Sequence, residues 1–409
     1  MVTTFYPPYH FGGDAVYVQQ LAHELAARGH HVEVVHCLDA FHLLSRHPPR
    51  ISVPEHPNVL VHRLHSPFGL LSPLATQQTG RPTFKSKQLI QIFEQPFDVI
   101  HYHNISLVGG PTVLTYGRAV KLYTLHEYWL LCPTHMLFKF DREVCTQRAC
   151  FSCTLTHGRP PQFWRYTGLI ERTIPHVDLF LAPTAFIKGK HLESEPEMRI
   201  AELPYFTSRW DSRRTPQEGL LTDPPYFLFV GRLEKMKGLQ TLIGLFKRYT
   251  KAQLWVIGTG KYETTLRTLA RNYPNIRFLG FQTGESLRQF YEQAVAVIVP
   301  SLWYEVFGIV ILEAFTQKTP VIVRNRGGMP GVINESGGGF VFDTEEELMM
   351  ILDKLLEQPS LRSSLGQQGF EALQRKWTAD VHVERYLELI ESVGGTQKTF
   401  QDSPRATEG

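Results

Sequence analysis

No Asp-x-Asp pair occurs anywhere in the 409-residue chain, so the most compact acidic arrangement for holding a divalent ion beside a phosphate is missing. No window approaches about 18 uninterrupted apolar residues, which leaves no candidate membrane-spanning helix. The start, Met1 to Pro8, carries neither a basic segment nor an apolar one. No signal peptide is expected, and a cytoplasmic location is the default, with a peripheral place on the inner membrane face as a variant. The first strand begins abruptly, so a start upstream of Met1 is an expectation. Excess charge is lacking too: a net +3 is too small to argue for nucleic acid. Between Asp39 and Glu94 the only acid is Glu55, against Arg46, Arg50, Arg63, Arg81, Lys85 and Lys87.

What is present is a globular composition, 43% hydrophobic and 20% charged, at a length that can build two full cores. Strand-like apolar runs alternate with helical spacing in both halves, which predicts an α/β fold of two doubly wound domains. Strands are expected at Val2 to Tyr6, His31 to Cys37, Phe97 to His103, Lys121 to Leu125 and Val177 to Ala182. In the second half they fall at Tyr226 to Val230, Gln253 to Ile257, Ile276 to Leu279 and Ala296 to Val299, with Thr319 to Val323 as the last. Phe41 to Lys87 reads as a variable surface insertion. Its functional alternative is a basic surface for an anionic acceptor or lipid headgroup, with Phe68, Leu70, Leu71 and Leu74 as apolar contacts. Thr344 and Glu347 form a capping box. The expected units are residues 1–205, 206–378, a terminal helix over 379–393 that crosses back to the first unit, and a disordered tail over 394–409.

Chemistry concentrates between Ala296 and Gly331. A buried strand ends at Pro300, and Glu305 follows just ahead of an apolar helix from Ile309 to Gln317 that contains Glu313. Open α/β sheets bind ligands at such strand ends. Gly308 permits close backbone approach, and the helix N-terminus suits a phosphate. Taken singly, both glutamates would be ordinary helix residues. Upstream, Gly231-Arg232-Leu233-Glu234-Lys235-Met236-Lys237-Gly238 follows a strand. Arg232 can fork onto phosphate oxygens and Lys237 adds a point charge. Gly12-Gly13 opens a helix in the first half, where a tight turn is the plainer reading. His101 and His103 alternate on one strand face, without a third residue to complete a metal set.

Four of the five cysteines, Cys132, Cys145, Cys150 and Cys153, crowd into residues 132–153. Disulfides are disfavoured in a reducing cytosol. The spacing admits a structural zinc site or an iron–sulfur cluster, with free buried thiols as the alternative.

Pro-Ser-x-x-x-Glu-x-Phe-Gly-x-x-x-x-Glu-Ala, from Pro300 to Ala314, resembles the donor-site motif of the family 4 retaining glycosyltransferases. Tyr-Pro-Pro with Gly12-Gly13, the Asp98 to His103 stretch, the Thr-x-His ending at His126 and the Gly-Arg to Lys-Gly string resemble other parts of the same family. A subgroup of that family also carries a cysteine cluster after the cleft histidine. The resemblance covers nearly the whole chain. It implies the GT-B arrangement of two Rossmann-like domains facing across a cleft, and transfer of a sugar from a UDP- or GDP-sugar to an acceptor hydroxyl with retention. It implies that His126, Glu305, Arg232 and Lys237 carry the reaction without a metal or other catalytic cofactor. The donor would be held by Gly12, Gly13, Arg232, Lys237, Gly258, Phe281, Glu305, Phe307, Gly308, Ile309 and Glu313, with Glu313 on the ribose. The implied partners are a nucleotide-sugar and a saccharide or lipid-linked acceptor, in polysaccharide or glycolipid assembly. Two departures stand out: Gly331 where the family has glutamate, and Lys318 where glycine is common. They keep rivals in view: a nucleotide-sugar epimerase, a non-catalytic binding module, and, on the cysteines alone, a redox or metal sensor.

Overall fold

The computed structural model describes residues 1–45, 54–207 and 222–401, with side chains through residue 394. Arg46, Arg50 and residues 208–221, just after the expected division between the two units, lie outside the described residues. In the first half the strands are β1 (Val32–Cys37), β2 (Val59–Leu64), β3 (Val99–Tyr102) and β4 (Val120–Thr124). A short ribbon follows, β5 (Phe138–Lys139) and β6 (Glu143–Val144), then β7 (Leu179–Ala182) and β8 (Ile200–Glu202). β3, β4, β7 and β8 pair in that order, all parallel, and β1 pairs in parallel with β2. Val2 joins the two groups by bridging to Val35 on one side and Tyr102 on the other. The expected first strand, Val2 to Tyr6, shrinks to this bridge, because the chain turns out of the sheet where Tyr6 pairs back on Tyr9.

The second half is one parallel sheet of six strands. Its members are β9 (Tyr226–Val230), β10 (Gln253–Ile257), β11 (Ile276–Gly280), β12 (Val297–Val299), β13 (Val321–Arg324) and β14 (Gly339–Phe342), in the order β11-β10-β9-β12-β13-β14. Central strands such as β12 are buried throughout, the signature of a sheet covered on both faces. β14 lies beyond the strand expected to be the last. Its glycine-rich start hides it in the sequence, and the same glycine permits it: a Cβ on Gly339 would stand 1.8 Å from the Val321 carbonyl oxygen. Thr344 and Glu347 form the expected capping box.

Phe41 to Lys87, expected to be irregular surface, is in its described residues largely regular structure. It supplies β2 and the helices Leu38–Leu44 and Leu71–Thr79, and leads into the helix Ser86–Phe93. Lys85, read as part of a basic surface, is fully buried and donates to the Ser72 hydroxyl at 2.9 Å. The last helix runs Ala379–Gln401, past the expected end at 393 and into the expected tail; residues 402–409 lie outside the described ones. One buried cluster takes in the first half and continues through Phe307, Met329, Trp377 and Tyr386, while a second fills the face of β9 and β10. Trp377 is 1% exposed, so truncating it to alanine removes a contact worth about 3–5 kcal/mol.

Candidate active site

Glu305 sits between the end of β12 and the helix Ile309–Thr316. It is not itself helical, so a continuous helical rise does not set its distance from Glu313. Its carboxylate oxygen Oε1 accepts from Lys237 Nζ at 2.5 Å and from the Ser301 hydroxyl at 2.8 Å. Burial works to raise the Glu305 carboxyl; Lys237, helped by Ser301, outweighs it and holds the group below the ordinary carboxylate value. Lys237 ends the turn Lys235–Lys237, and its ammonium lies 5.3 Å from the centre of the Trp303 ring. The following Gly238 has φ +76, and a Cβ there would meet the Pro300 carbonyl oxygen at 2.1 Å. Glycine therefore lets the basic loop lie against the strand end that presents Glu305. Gly327 does the same on the other side, where a Cβ would stand 2.2 Å from the Glu305 carbonyl oxygen.

Gly308 caps the Ile309–Thr316 helix with φ +87, and no side chain bonds to its first amides. Those N–H groups are the ones a helix offers to an anion. The first half meets this helix directly: a Cβ on Gly13 would lie 3.3 Å from Ile309 Cδ1. Gly12 is the N-cap of the helix Gly13–Ala27. Thr184 donates to the Val306 carbonyl at 2.9 Å, and the Phe307 and Tyr205 rings are 5.4 Å apart.

His126 follows β4 and is buried, which lowers its imidazole to about 4 against a small opposing pull from Asp14. It is therefore neutral at pH 7. Nδ1 bonds to the Tyr205 hydroxyl at 2.6 Å and Nε2 to His103 Nδ1 at 2.9 Å. His103 Nε2 is buried with no partner. His101 bonds instead to Thr124 at 2.7 Å and to Tyr386 of the last helix at 3.0 Å. Here His382 Nδ1 faces the Pro204 carbonyl at 2.8 Å and must carry the proton; its Nε2 then accepts from Tyr17, at 2.9 Å.

The remaining candidates are placed differently. Arg232 pairs with Glu234 at 3.0 Å and keeps half its side chain in solvent. Glu313 is 5% exposed and accepts from the buried Tyr291 hydroxyl at 2.6 Å, so it faces protein in this state. Phe281 is 71% exposed, just past β11. Gly258 has a backbone reason to be glycine: a Cβ would meet the Gly231 carbonyl oxygen at 1.9 Å. Gly331 has open space around it, and Lys318 lies at the other end of the Ile309–Thr316 helix, over the Phe370 ring. Sequence reasoning missed Ser301, Tyr205 and the His103 link. Ser301 stands inside the quoted motif; Tyr205 carries no local signal, because it lies at the expected division between the two units, after β8 and far from His126 in sequence.

The four clustered cysteines are all free, and all line one cavity of about 10 Å³. Among the described residues no helix is long and apolar enough to cross a membrane.

Residues 211–372 match the family described as Glycosyl transferases group 1, and residues 11–201 match Glycosyltransferase Family 4. A D-inositol 3-phosphate glycosyltransferase of Corynebacterium aurimucosum is 30% identical over 315 residues, covering 70% of each chain. An uncharacterized glycosyltransferase of Methanocaldococcus jannaschii is 24% identical over 407 residues, covering 93% of this chain and 94% of that protein. A lipopolysaccharide core biosynthesis glycosyltransferase of Rhizobium meliloti matches in part, at 30% identity over 42% of this chain and 51% of that protein. Sucrose-phosphate synthase from Thermosynechococcus elongatus superposes with a TM-score of 0.73 at 18% identity, over 98% of this chain and 99% of that one. Anabaena Alr3699/HepE in complex with UDP gives 0.64 at 16%, over 96% and 99%. These two show the fold, the GT-B arrangement of two Rossmann-like domains. With the motif residues gathered around Glu305 and with matches that cover both halves, the chain belongs to the group 1 glycosyltransferases of family 4.

Proposed function

We propose that this glycosyltransferase moves a sugar from a UDP- or GDP-sugar to an acceptor hydroxyl with retention of anomeric configuration and without a catalytic metal. The observation that carries the reading is the grip of Lys237 and Ser301 on Glu305 Oε1 at the mouth of a helix whose N-cap, Gly308, makes no side-chain bond to its first amides. Both bonds fall on one oxygen, and the other is the one offered to a donor sugar hydroxyl. Lys237, the helix amides and an Arg232 released from Glu234 meet the diphosphate, where negative charge grows as the sugar departs. Neutral His126 fits a hydrogen-bonding role to the sugar rather than that of a fixed cation. No protein nucleophile is assigned; the leaving diphosphate helps to take the acceptor proton. The Corynebacterium aurimucosum relative is a D-inositol 3-phosphate glycosyltransferase and the Anabaena structure holds UDP, which supports a nucleotide-sugar donor and a hydroxylated acceptor.

The acceptor is a saccharide or lipid-linked sugar of polysaccharide or glycolipid assembly. Phe68, Leu70, Leu71 and Leu74 are exposed, with Phe68 packed on the exposed Phe84 ring at 4.3 Å. These residues, with the exposed Arg81 and Lys87 nearby in sequence, are the ones that would touch an anionic membrane.

The test is a nucleotide-sugar panel by thermal shift, with and without EDTA, followed by a hydrolysis assay on each hit. Stabilisation by one donor, indifferent to EDTA and accompanied by slow diphosphate release, is expected. A hit with no turnover, even with acceptors, returns the binding module. A new nucleotide-sugar formed without acceptor returns the epimerase.

A further inference from the structure

The segment from Cys132 to Thr156 has little of its own to hold it together. β5 and β6 are two residues each, paired antiparallel, and the following helix, Cys150–Thr156, has seven. Phe138 is its one deeply buried aromatic. His135, Leu137, Phe140 and Asp141 all have positive φ, from +48 to +75, although none is glycine. Each such residue costs about 1–2 kcal/mol and persists only where something else fixes the backbone. The segment nevertheless holds a definite place. Tyr128 donates its amide to the His135 carbonyl at 3.0 Å, and His135 Nδ1 bonds to Glu127, beside His126, at 2.7 Å. Across the cleft, Asp141 reaches Lys235 at 3.9 Å.

Cys132, Cys145, Cys150 and Cys153 all line a single cavity of about 10 Å³, with Lys139 in the same wall. The Phe140 amide donates to Cys153 Sγ at 3.3 Å, and Cys132 Sγ lies 3.2 Å from the Thr134 hydroxyl. Arg165 lines the adjoining cleft beside Cys150, so two cations, Lys139 in the cavity wall and Arg165 in that cleft, stand near the thiols. As placed, the thiols are not a closed ligand set: among the described residues no group of three or more His, Cys, Asp or Glu is arranged to hold a metal ion.

We propose that these four cysteines turn into the cavity they line and bind one Zn²⁺ as a tetrahedral tetrathiolate, at about 2.3 Å from each sulfur. Each thiol gives up its proton on binding, so affinity falls with pH. The ion takes no part in sugar transfer. It staples the ribbon to the helix Cys150–Thr156 and so fixes the Glu127–His135 and Asp141–Lys235 contacts at the cleft.

Metal analysis of the full chain, purified without chelator, should find one zinc per chain. Cys153→Ser should lower bound zinc at least about tenfold, whereas Cys37→Ser, in β1 outside the cluster, should leave it unchanged. Should Cys153→Ser fail to fold, the wild-type chain still decides: a mercurial thiol reagent should release one equivalent of zinc to a colorimetric chelator. Co²⁺ exchanged for zinc should show the strong visible bands of a tetrahedral thiolate site. A chain without zinc whose four thiols react freely, disulfides among them by mass spectrometry, or an iron chromophore would each overturn the proposal. None of these readouts depends on nucleotide binding, so the donor reading stands or falls separately.

Discussion

Lys237 Nζ stands 2.5 Å from Glu305 Oε1, an ion pair between residues 68 apart in sequence that ties the turn after β9 to the segment after β12. Both side chains are largely buried, so neither charge is screened as a surface pair would be. Removing one partner strands the other: Lys237→Met should destabilise the fold by roughly 3–5 kcal/mol, read by chemical denaturation. Glu305→Ala should lower kcat/KM by about two orders of magnitude or more, if several contacts to the transition state are lost. Near-normal kinetics would remove Glu305 from the site. The folded carboxyl lies below the ordinary value, so the stability it contributes is complete at neutral pH and disappears as pH falls through the acid carboxylate range.

Arg232→Ala should weaken nucleoside diphosphate binding about tenfold, as for one lost charge-assisted contact. Glu234→Gln, which removes the competing carboxylate 3.0 Å away, should leave binding equal or tighter. Unchanged affinity in Arg232→Ala by calorimetry would end the phosphate role.

Burial lowers His126, His191 and His382 to about 4 and His36 to about 3. Between pH 6.5 and 4 the unfolded chain therefore binds more protons than the folded one, and stability must fall on acidification through that window. One such histidine contributes on the order of 3 kcal/mol. The melting temperature should drop steeply from pH 6.5 to 4, and His191→Gln, away from Glu305, should flatten the slope. A pH-independent melting temperature would show that these rings are not held neutral.

Gly331 is the third residue of the helix Met329–Ser336, with nothing near a Cβ. Gly331→Glu should be accommodated and stabilise by roughly 0.5–1 kcal/mol through helix propensity and the helix dipole. Donor affinity should rise if the family's glutamate contact is what this chain gave up. A loss of stability would show that the space is not open.

Lys318 holds φ +54, a conformation that costs a side chain about 1 kcal/mol or more. Lys318→Gly should therefore gain roughly 0.5–1 kcal/mol despite the lost contact with Phe370. Donor affinity should not change, because the residue sits at the far end of the helix from Glu305. A changed donor Kd would return Lys318 to the site.

Much of this was legible along the chain. Continuous apolar runs such as Tyr226 to Val230 and Gln253 to Ile257 became strands with those bounds, because a parallel sheet buries both faces and leaves no alternation to misread. The motif from Pro300 to Ala314 marked Glu305, since a strand end and a helix start are local in sequence. β2, β14 and the full last helix were harder to see. A mixed edge strand and a glycine-led strand are stabilised by neighbours that local pattern does not reveal, and Gly394-Gly395 reads as a helix end although the helix runs on to Gln401. Only the tertiary structure decided which charge Lys237 answers, that Glu313 faces Tyr291, and that Tyr205 reaches His126. It also showed Lys85 buried in what read as a basic surface. Residue type and spacing specify what a side chain can do. Burial and partners, which come from chain segments tens to hundreds of residues away, decide which of those possibilities it takes.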